Sequence, residues 1–185
     1  KNYNTYDSIY DIEGTILLIQ NKAAIDEFSE NELFYFASHR NAIFYSNSNF
    51  SQKFADSLGF EIEYSNDFAD SLQFKINQNQ KAGNFYFNKG INTAYFSKID
   101  TSKTEVLGTQ INSKGEEFAN FIKVKHLNGN FYLHLQPVAF TNYYLLNKNS
   151  QYTEDILGYI PSKSPIYWKV KQYDNEELSS SPMRY

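Results

Sequence analysis

A chain of 185 residues with a formal charge of −4 and 41% apolar side chains has the size of one domain and ample material for a core. Its charges are mixed, with no basic stripe, which argues against a nucleic-acid partner. Without cysteine there can be no disulfide, thiolate metal site or cysteine nucleophile.

Reading from the N-terminus, Gly14 opens the apolar run Thr15 to Gln20, the pattern of a strand buried on both faces in a parallel sheet. Ser29 and Glu32 have the spacing of a capping box, with Phe28 and Leu33 placed as a hydrophobic staple. They predict a helix from Ser29 to about His39 that buries Leu33, Phe36 and Ala37. A second strand follows over Ala42 to Ser46. A second helix, Ser51 to Leu58, ends at Gly59, the residue type favoured just past a helix C-terminus. Strand, helix, strand, helix with short connections implies parallel strands with helical crossovers in a doubly wound sheet.

The middle, residues 60–112, is read as short strands: Glu61 to Tyr64, Leu72 to Ile76, Phe85 to Phe87, Ala94 to Ser97 and Glu105 to Gln110. An antiparallel insertion or extension of the sheet is expected there. Asn128-Gly129 reads as a type I′ turn between two alternating runs, a C-terminal hairpin pairing His126 with Phe131, Val124 with Leu133 and Ile122 with Leu135. Its other face, with Lys125, Lys123 and Phe121, is expected to be at least partly wet. After Pro137 come helical segments capped by Thr141 or Asn142, a helix near Thr153 to Ile160 and a strand over Ile166 to Val170. Residues 1–172 are read as one α/β domain and 173–185 as a polar, juxtamembrane tail.

Chemical motifs are sparse. The three histidines are scattered, and the hairpin alternation puts His126 and His134 on opposite faces, so no metal site is assigned. The acidic doublets Asp26-Glu27, Glu116-Glu117 and Glu176-Glu177 are read as solvated, because adjacent side chains diverge. No phosphate-binding glycine loop follows the first strand, no GxSxG elbow is present, and no cofactor is expected. Open α/β sheets bind ligands at the carboxyl ends of their strands. Here those ends carry Gln20, Asn21, Ser46, Asn47, Ser48, Gln136, Thr141 and Asn142, which suit a polar ligand and equally suit turns and caps. Tyr143-Tyr144 and Tyr167-Trp168 could stack on a sugar ring, although core packing is the expected use of Trp168.

The segment Leu135-Gln136-Pro137-Val138-Ala139-Phe140-Thr141-Asn142-Tyr143-Tyr144-Leu145-Leu146 resembles a bacterial family of unknown function related to class I glutamine amidotransferases. Gly158 to Pro161 and Ile166-Tyr167-Trp168 support the resemblance. It implies a flavodoxin- and glutamine-amidotransferase-like mixed sheet, anchored by membrane helices outside residues 1–185, in an extracytoplasmic, periplasmic position. Partners would be envelope or membrane proteins. Amidotransferase activity is not implied, because that chemistry needs a cysteine nucleophile. The expected function is a non-catalytic domain binding a protein or small polar ligand through Asn21, Asn47, Gln136, Thr141, Asn142 and Tyr143. The alternative is an envelope carbohydrate-active hydrolase or lyase using carboxylates from distant segments.

Overall fold

The apolar run after Gly14 forms β1 (Thr15–Ile19), with alternate side chains entering two separate cores. The computed structural model describes residues 12–21, 25–65, 71–77, 84–146, 150–161 and 164–168. After β1 come α1 (Glu27–Ser38), β2 (Ala42–Ser46), α2 (Gln52–Leu58) and six strands. These are β3 (Phe60–Tyr64), β4 (Leu72–Ile76), β5 (Asn84–Phe87), β6 (Ala94–Ile99), β7 (Thr104–Ile111) and β8 (Glu117–His126). Next are β9 (Gly129–His134), a 3-10 turn (Pro137–Phe140), α3 (Asn142–Leu146), α4 (Ser150–Leu157) and β10 (Ile166–Trp168). The expected tail and residues 169–170 lie outside the described residues.

Helix α1 begins earlier than its capping-box motif predicts. The Asp26 carboxylate accepts the Ser29 backbone N–H at 2.9 Å and the Ser29 hydroxyl at 2.8 Å, so Asp26 is the cap and Ser29 lies inside the helix. The staple does not form, and Phe28 is left 62% exposed. Leu33 and Ala37 are buried as expected, while half-buried Phe36 meets the Tyr167 ring edge-on. Helix α2 follows its sequence signals: the Ser51 hydroxyl accepts the Phe54 N–H, and Gly59 takes the left-handed conformation at φ 75°.

All the strands join one 10-stranded sheet with the order β10-β1-β2-β9-β8-β7-β4-β5, and the β3–β6 ribbon branches from β8. The neighbours from β10 to β9 are parallel and the remaining pairs are antiparallel. The middle strands therefore extend the main sheet. The branch exists because β8 outruns its partner: β9 pairs with Phe121 to His126, and Ala119 on the same edge takes Phe96 of β6. Among the described parallel strands the chain order is fourth, first, second, third, which differs from flavodoxin's 2-1-3-4-5.

Helices cover both faces. Helices α1 and α2 pack with Ile43, Tyr45, Phe131 and Leu133 on one face, whereas Tyr144 of α3 and Tyr152 and Ile156 of α4 pack with Phe44, Phe74 and Phe121 on the other. The step from β1 to β2 runs one way along the sheet and the return from β9 to β10 runs the other. Crossovers of one hand then require helices on opposite faces. The abundant Phe and Tyr fill both cores; Phe54, for example, touches the rings of Phe34, Tyr45, Phe50, Phe60 and Phe131.

The hairpin is displaced by two residues from its expected register, with Val124 opposite Phe131 and Ile122 opposite Leu133. Leu127 and Asn128 form the loop, and Leu127 adopts φ 50°. A slip of two preserves side-chain parity, so the face carrying Ile122, Val124, Phe131 and Leu133 is the apolar one, as read from the sequence. The opposite face is drier than expected: Phe121 and His134 are wholly buried, and Lys125 is exposed towards the loop. Gly129 is needed for close approach rather than for the turn. A Cβ there would lie 2.0 Å from the Ala37 carbonyl oxygen and 2.3 Å from that of Asn41.

Gly129→Ala should therefore cost at least about 3 kcal/mol in urea unfolding, whereas Leu127→Gly should stabilise by about 1 kcal/mol through relief of the left-handed strain. A cost of only about 1 kcal/mol for Gly129→Ala would instead match a glycine needed merely for turn conformation.

Candidate functional site

The chain leaves β2 toward the face of α2 and leaves β9 toward the face of α3 and α4. A doubly wound sheet opens its ligand crevice where adjacent strands send their connections to opposite faces. Here that point is between the carboxyl ends of β2 and β9, where Asn47 and Gln136 sit. Both are wholly buried, as is Ser46, and Ser48 is nearly so.

Segments from the middle of the chain cover this point. The Gln136 side-chain amide donates to the Asn92 carbonyl at 2.6 Å and its oxygen accepts the Asn92 N–H at 3.3 Å. The Asn92 side chain donates in return to the Leu135 carbonyl at 2.8 Å. Tyr64, at the end of β3, donates its hydroxyl to the Ser48 carbonyl at 2.9 Å. The Tyr144 hydroxyl accepts the backbone N–H groups of Asn88 and Lys89 at 3.0 and 2.6 Å and donates to the Lys89 carbonyl at 2.9 Å. Asn47 is committed as well: its amide donates to the Tyr45 hydroxyl at 3.0 Å and its oxygen accepts the Asn49 N–H at 3.3 Å, an Asx turn. Tyr45 in turn donates to the Gln20 side chain at 3.2 Å.

The other candidates lie on the surface. Thr141, Asn142 and Tyr143 are exposed at the start of α3, with the Thr141 hydroxyl donating to the Val138 carbonyl and Lys89 standing 4.7 Å over the Tyr143 ring. Asn21 is exposed after β1, separated in the sheet from β9 by the intervening β2. Tyr144, buried against Phe87, offers no stacking face, and Trp168 is 64% exposed, contrary to its expected place in the core. The acidic doublets diverge as read: Asp26 caps α1 and Glu27 pairs with Lys53, while Glu116 bonds Asn112 and Glu117 bonds Thr109 and Lys75. The doublet at 176–177 is outside the described residues. No group of three or more His, Cys, Asp or Glu side chains with metal-binding geometry occurs among the described residues.

The most ordered polar chemistry was not legible as a site. His134 Nδ1 lies 2.9 Å from the Ser46 hydroxyl, its Nε2 lies 3.0 Å from the Tyr152 hydroxyl, and the Asn120 amide points at that hydroxyl from 3.5 Å. All four side chains are wholly buried. Burial pushes the imidazole down to about 3 and holds the Tyr152 phenol above its ordinary range. The sequence carried no signal for it: His134 falls between Leu133 and Leu135 on the hairpin face read as partly wet, and its partners Ser46 and Tyr152 lie 88 and 18 residues away along the chain. Glu30 was also missed. It is the only buried carboxylate among the described residues, on the first turn of α1 near Tyr45.

No protein-family model matches the chain, and no curated protein matches it in sequence. In structure it is similar to an exo-β-1,4-mannosidase, Op5Man5 from Opitutaceae bacterium strain TAV5, at a TM-score of 0.53 and 12% identity. That match covers 79% of this chain and 25% of that one. A β-galactosidase from Bacillus circulans sp. alkalophilus aligns at a TM-score of 0.48 and 11% identity over 68% of this chain and 20% of that one. A GH42 β-galactosidase from G. stearothermophilus aligns at 0.46 and 12% over 75% and 20%. The mannosidase likeness is one of fold: a mixed α/β arrangement about a large, mostly stranded sheet. The chain spans about a quarter of that enzyme's length.

Removing the Asn92 side chain takes a donor from the buried Leu135 carbonyl and the acceptor from the buried Ala94 N–H, so Asn92→Ala should lower unfolding free energy by about 1–3 kcal/mol. Asn142→Ala, at an exposed position, should stay within about 0.5 kcal/mol of the parent in the same denaturation series.

Proposed function

We propose that this chain is a non-catalytic interaction domain of a larger, membrane-anchored bacterial envelope protein, in the unknown-function family that its Leu135 to Leu146 segment resembles. It takes a protein partner or small polar ligand on the exposed part of the strand-end edge, formed by Thr141, Asn142 and Tyr143, with Asn21 at its far side. The carrying observation is the sealed crevice. At the position where a doubly wound sheet would hold a substrate, Asn92 bonds Gln136 and Leu135 and the Tyr64 hydroxyl bonds Ser48, so its polar groups are spent on the chain itself. Binding is thereby moved to the periphery, where Tyr143 is 41% exposed and Leu146 83% exposed. The amidotransferase-like frame and the periplasmic setting belong to the same reading and draw on the family resemblance.

A second reading, a carbohydrate-active hydrolase or lyase, draws on the fold likeness to the mannosidase. It needs two carboxyl groups roughly 5–9 Å apart beside a cleft. The strand ends instead gather amides, hydroxyls and an imidazole, with Glu30 the one buried carboxylate described.

The two readings separate in a paired experiment. Partners recovered from native membranes by the full-length protein should be lost with Tyr143→Arg while the melting temperature is unchanged. Purified protein should release no product from aryl mannosides or β-galactosides. Turnover that survives repurification would overturn the non-catalytic reading in favour of the second.

A further inference from the structure

We propose that Ser46, His134 and Tyr152 form an acid-sensitive latch that ties α4 to the carboxyl ends of β2 and β9 and opens when the imidazole takes up a proton. The latch joins three elements through one ring. Ser46 ends β2, His134 ends β9, and Tyr152 projects from α4 on the opposite side of the imidazole.

In the neutral ring every proton along the hydrogen-bond chain from Asn120 to Ser46 has an acceptor, while the buried Asn120 Oδ1 has no partner among the described residues. The Asn120 amide donates to the Tyr152 hydroxyl, the phenol donates to Nε2, and the proton on Nδ1 goes to the Ser46 hydroxyl. This pattern assigns the Nδ1–H tautomer. Protonation puts a hydrogen on Nε2 as well. With the Asn120 amide as it stands, the Tyr152 oxygen must then accept from both His134 and Asn120, and its own proton turns toward the rings of Phe74, Phe85 and Phe87; the orphaned Asn120 Oδ1 takes that proton only if the amide turns over.

Among the described residues, no charged group faces the ring to offset the new charge. From α4 the facing titratable group is the Tyr152 phenol, and from β2 the facing group is a hydroxyl. Strand β8 contributes Asn120 and Phe121, and the 3-10 turn contributes Phe140. Burial alone accounts for the depressed imidazole, with no contribution from a neighbouring charge. The sign follows from linkage. The closed form holds its imidazole near 3, below the ordinary value of 6.5, so an open form binds the proton first. Closure is complete above 6.5 and weakens as pH falls toward 3, by about tenfold in the opening constant per pH unit.

Hydrogen exchange of the α4 amides in the 185-residue chain, corrected for the intrinsic pH dependence of exchange, tests this directly. Between pH 7.5 and pH 5.0 the opening constant of α4 should rise about 30-fold. The same amides in His134→Gln should change less than about threefold, whatever their absolute protection. Strand β8 amides should not follow α4. An unchanged α4, an equal rise in His134→Gln, or one uniform factor across sheet and helix would each overturn the latch, the last by showing global unfolding. A readout free of substitution comes from the imidazole ¹⁵N shifts of the parent chain. They should report a neutral Nδ1–H tautomer at pH 5.0 in the closed form, and titration near 6.5 with α4 still protected would also overturn the proposal.

Discussion

The parallel register of β2 against β9, which sets Ala42 beside Asn130 and Ser46 beside His134, is the constraint from which the rest of the structure follows. It joins segments 88 residues apart and places Gly129 directly beneath the last turn of α1, where no side chain fits. The two strands then send their connections to opposite faces, so each side of the sheet acquires its own aromatic core. Everything between them, from β3 to β8, must leave the parallel core and return as the antiparallel neighbour of β9. The long β8 makes that return and has edge enough left over to carry the β3–β6 ribbon.

The same geometry decides what the strand ends can do. The insertion comes back over the crevice that the parallel core creates, and Asn92 and Tyr64 occupy it with a nearly complete set of hydrogen bonds. Polar residues at the ends of strands are thus spent on internal satisfaction, where a nucleotide-binding sheet of similar layering would spend them on a ligand. The Ser46–His134 contact shows why distance alone is a poor guide to catalysis. The pair is at hydrogen-bonding range, but among the described residues no carboxylate bonds the ring, both side chains are wholly buried, and the imidazole is held neutral far below neutrality.

Much of this was legible in the residues themselves. Periodicity located the strands because a buried strand needs a run of apolar side chains whatever its partner, and Gly59 and Ser51 marked the ends of α2 by local backbone chemistry. Where two local signals competed, the reading slipped. Asp26 and Ser29 can both cap a helix, and the carboxylate prevails by accepting the hydroxyl of its rival. The Asn128-Gly129 dipeptide suggested a turn, but contact with Ala37 and Asn41, distant in sequence, is what requires the glycine. Of the residues read at strand ends, Asn47 and Gln136 follow β2 and β9 while Thr141, Asn142 and Tyr143 fall at the start of α3, and the burial of Asn47 and Gln136 was not foreseeable, since Asn92 lies 44 residues from Gln136.

By itself, then, the sequence determined the layered α/β character, the strand and helix segments, the apolar face of the hairpin and the absence of thiol chemistry. These depend on side-chain patterns within a few residues of one another. Tertiary structure alone decided the strand order, the two-residue displacement of the hairpin, the sealing of the crevice and the assembly of Ser46, His134 and Tyr152. Each of these depends on contacts between segments distant along the chain, whose energies no local pattern encodes.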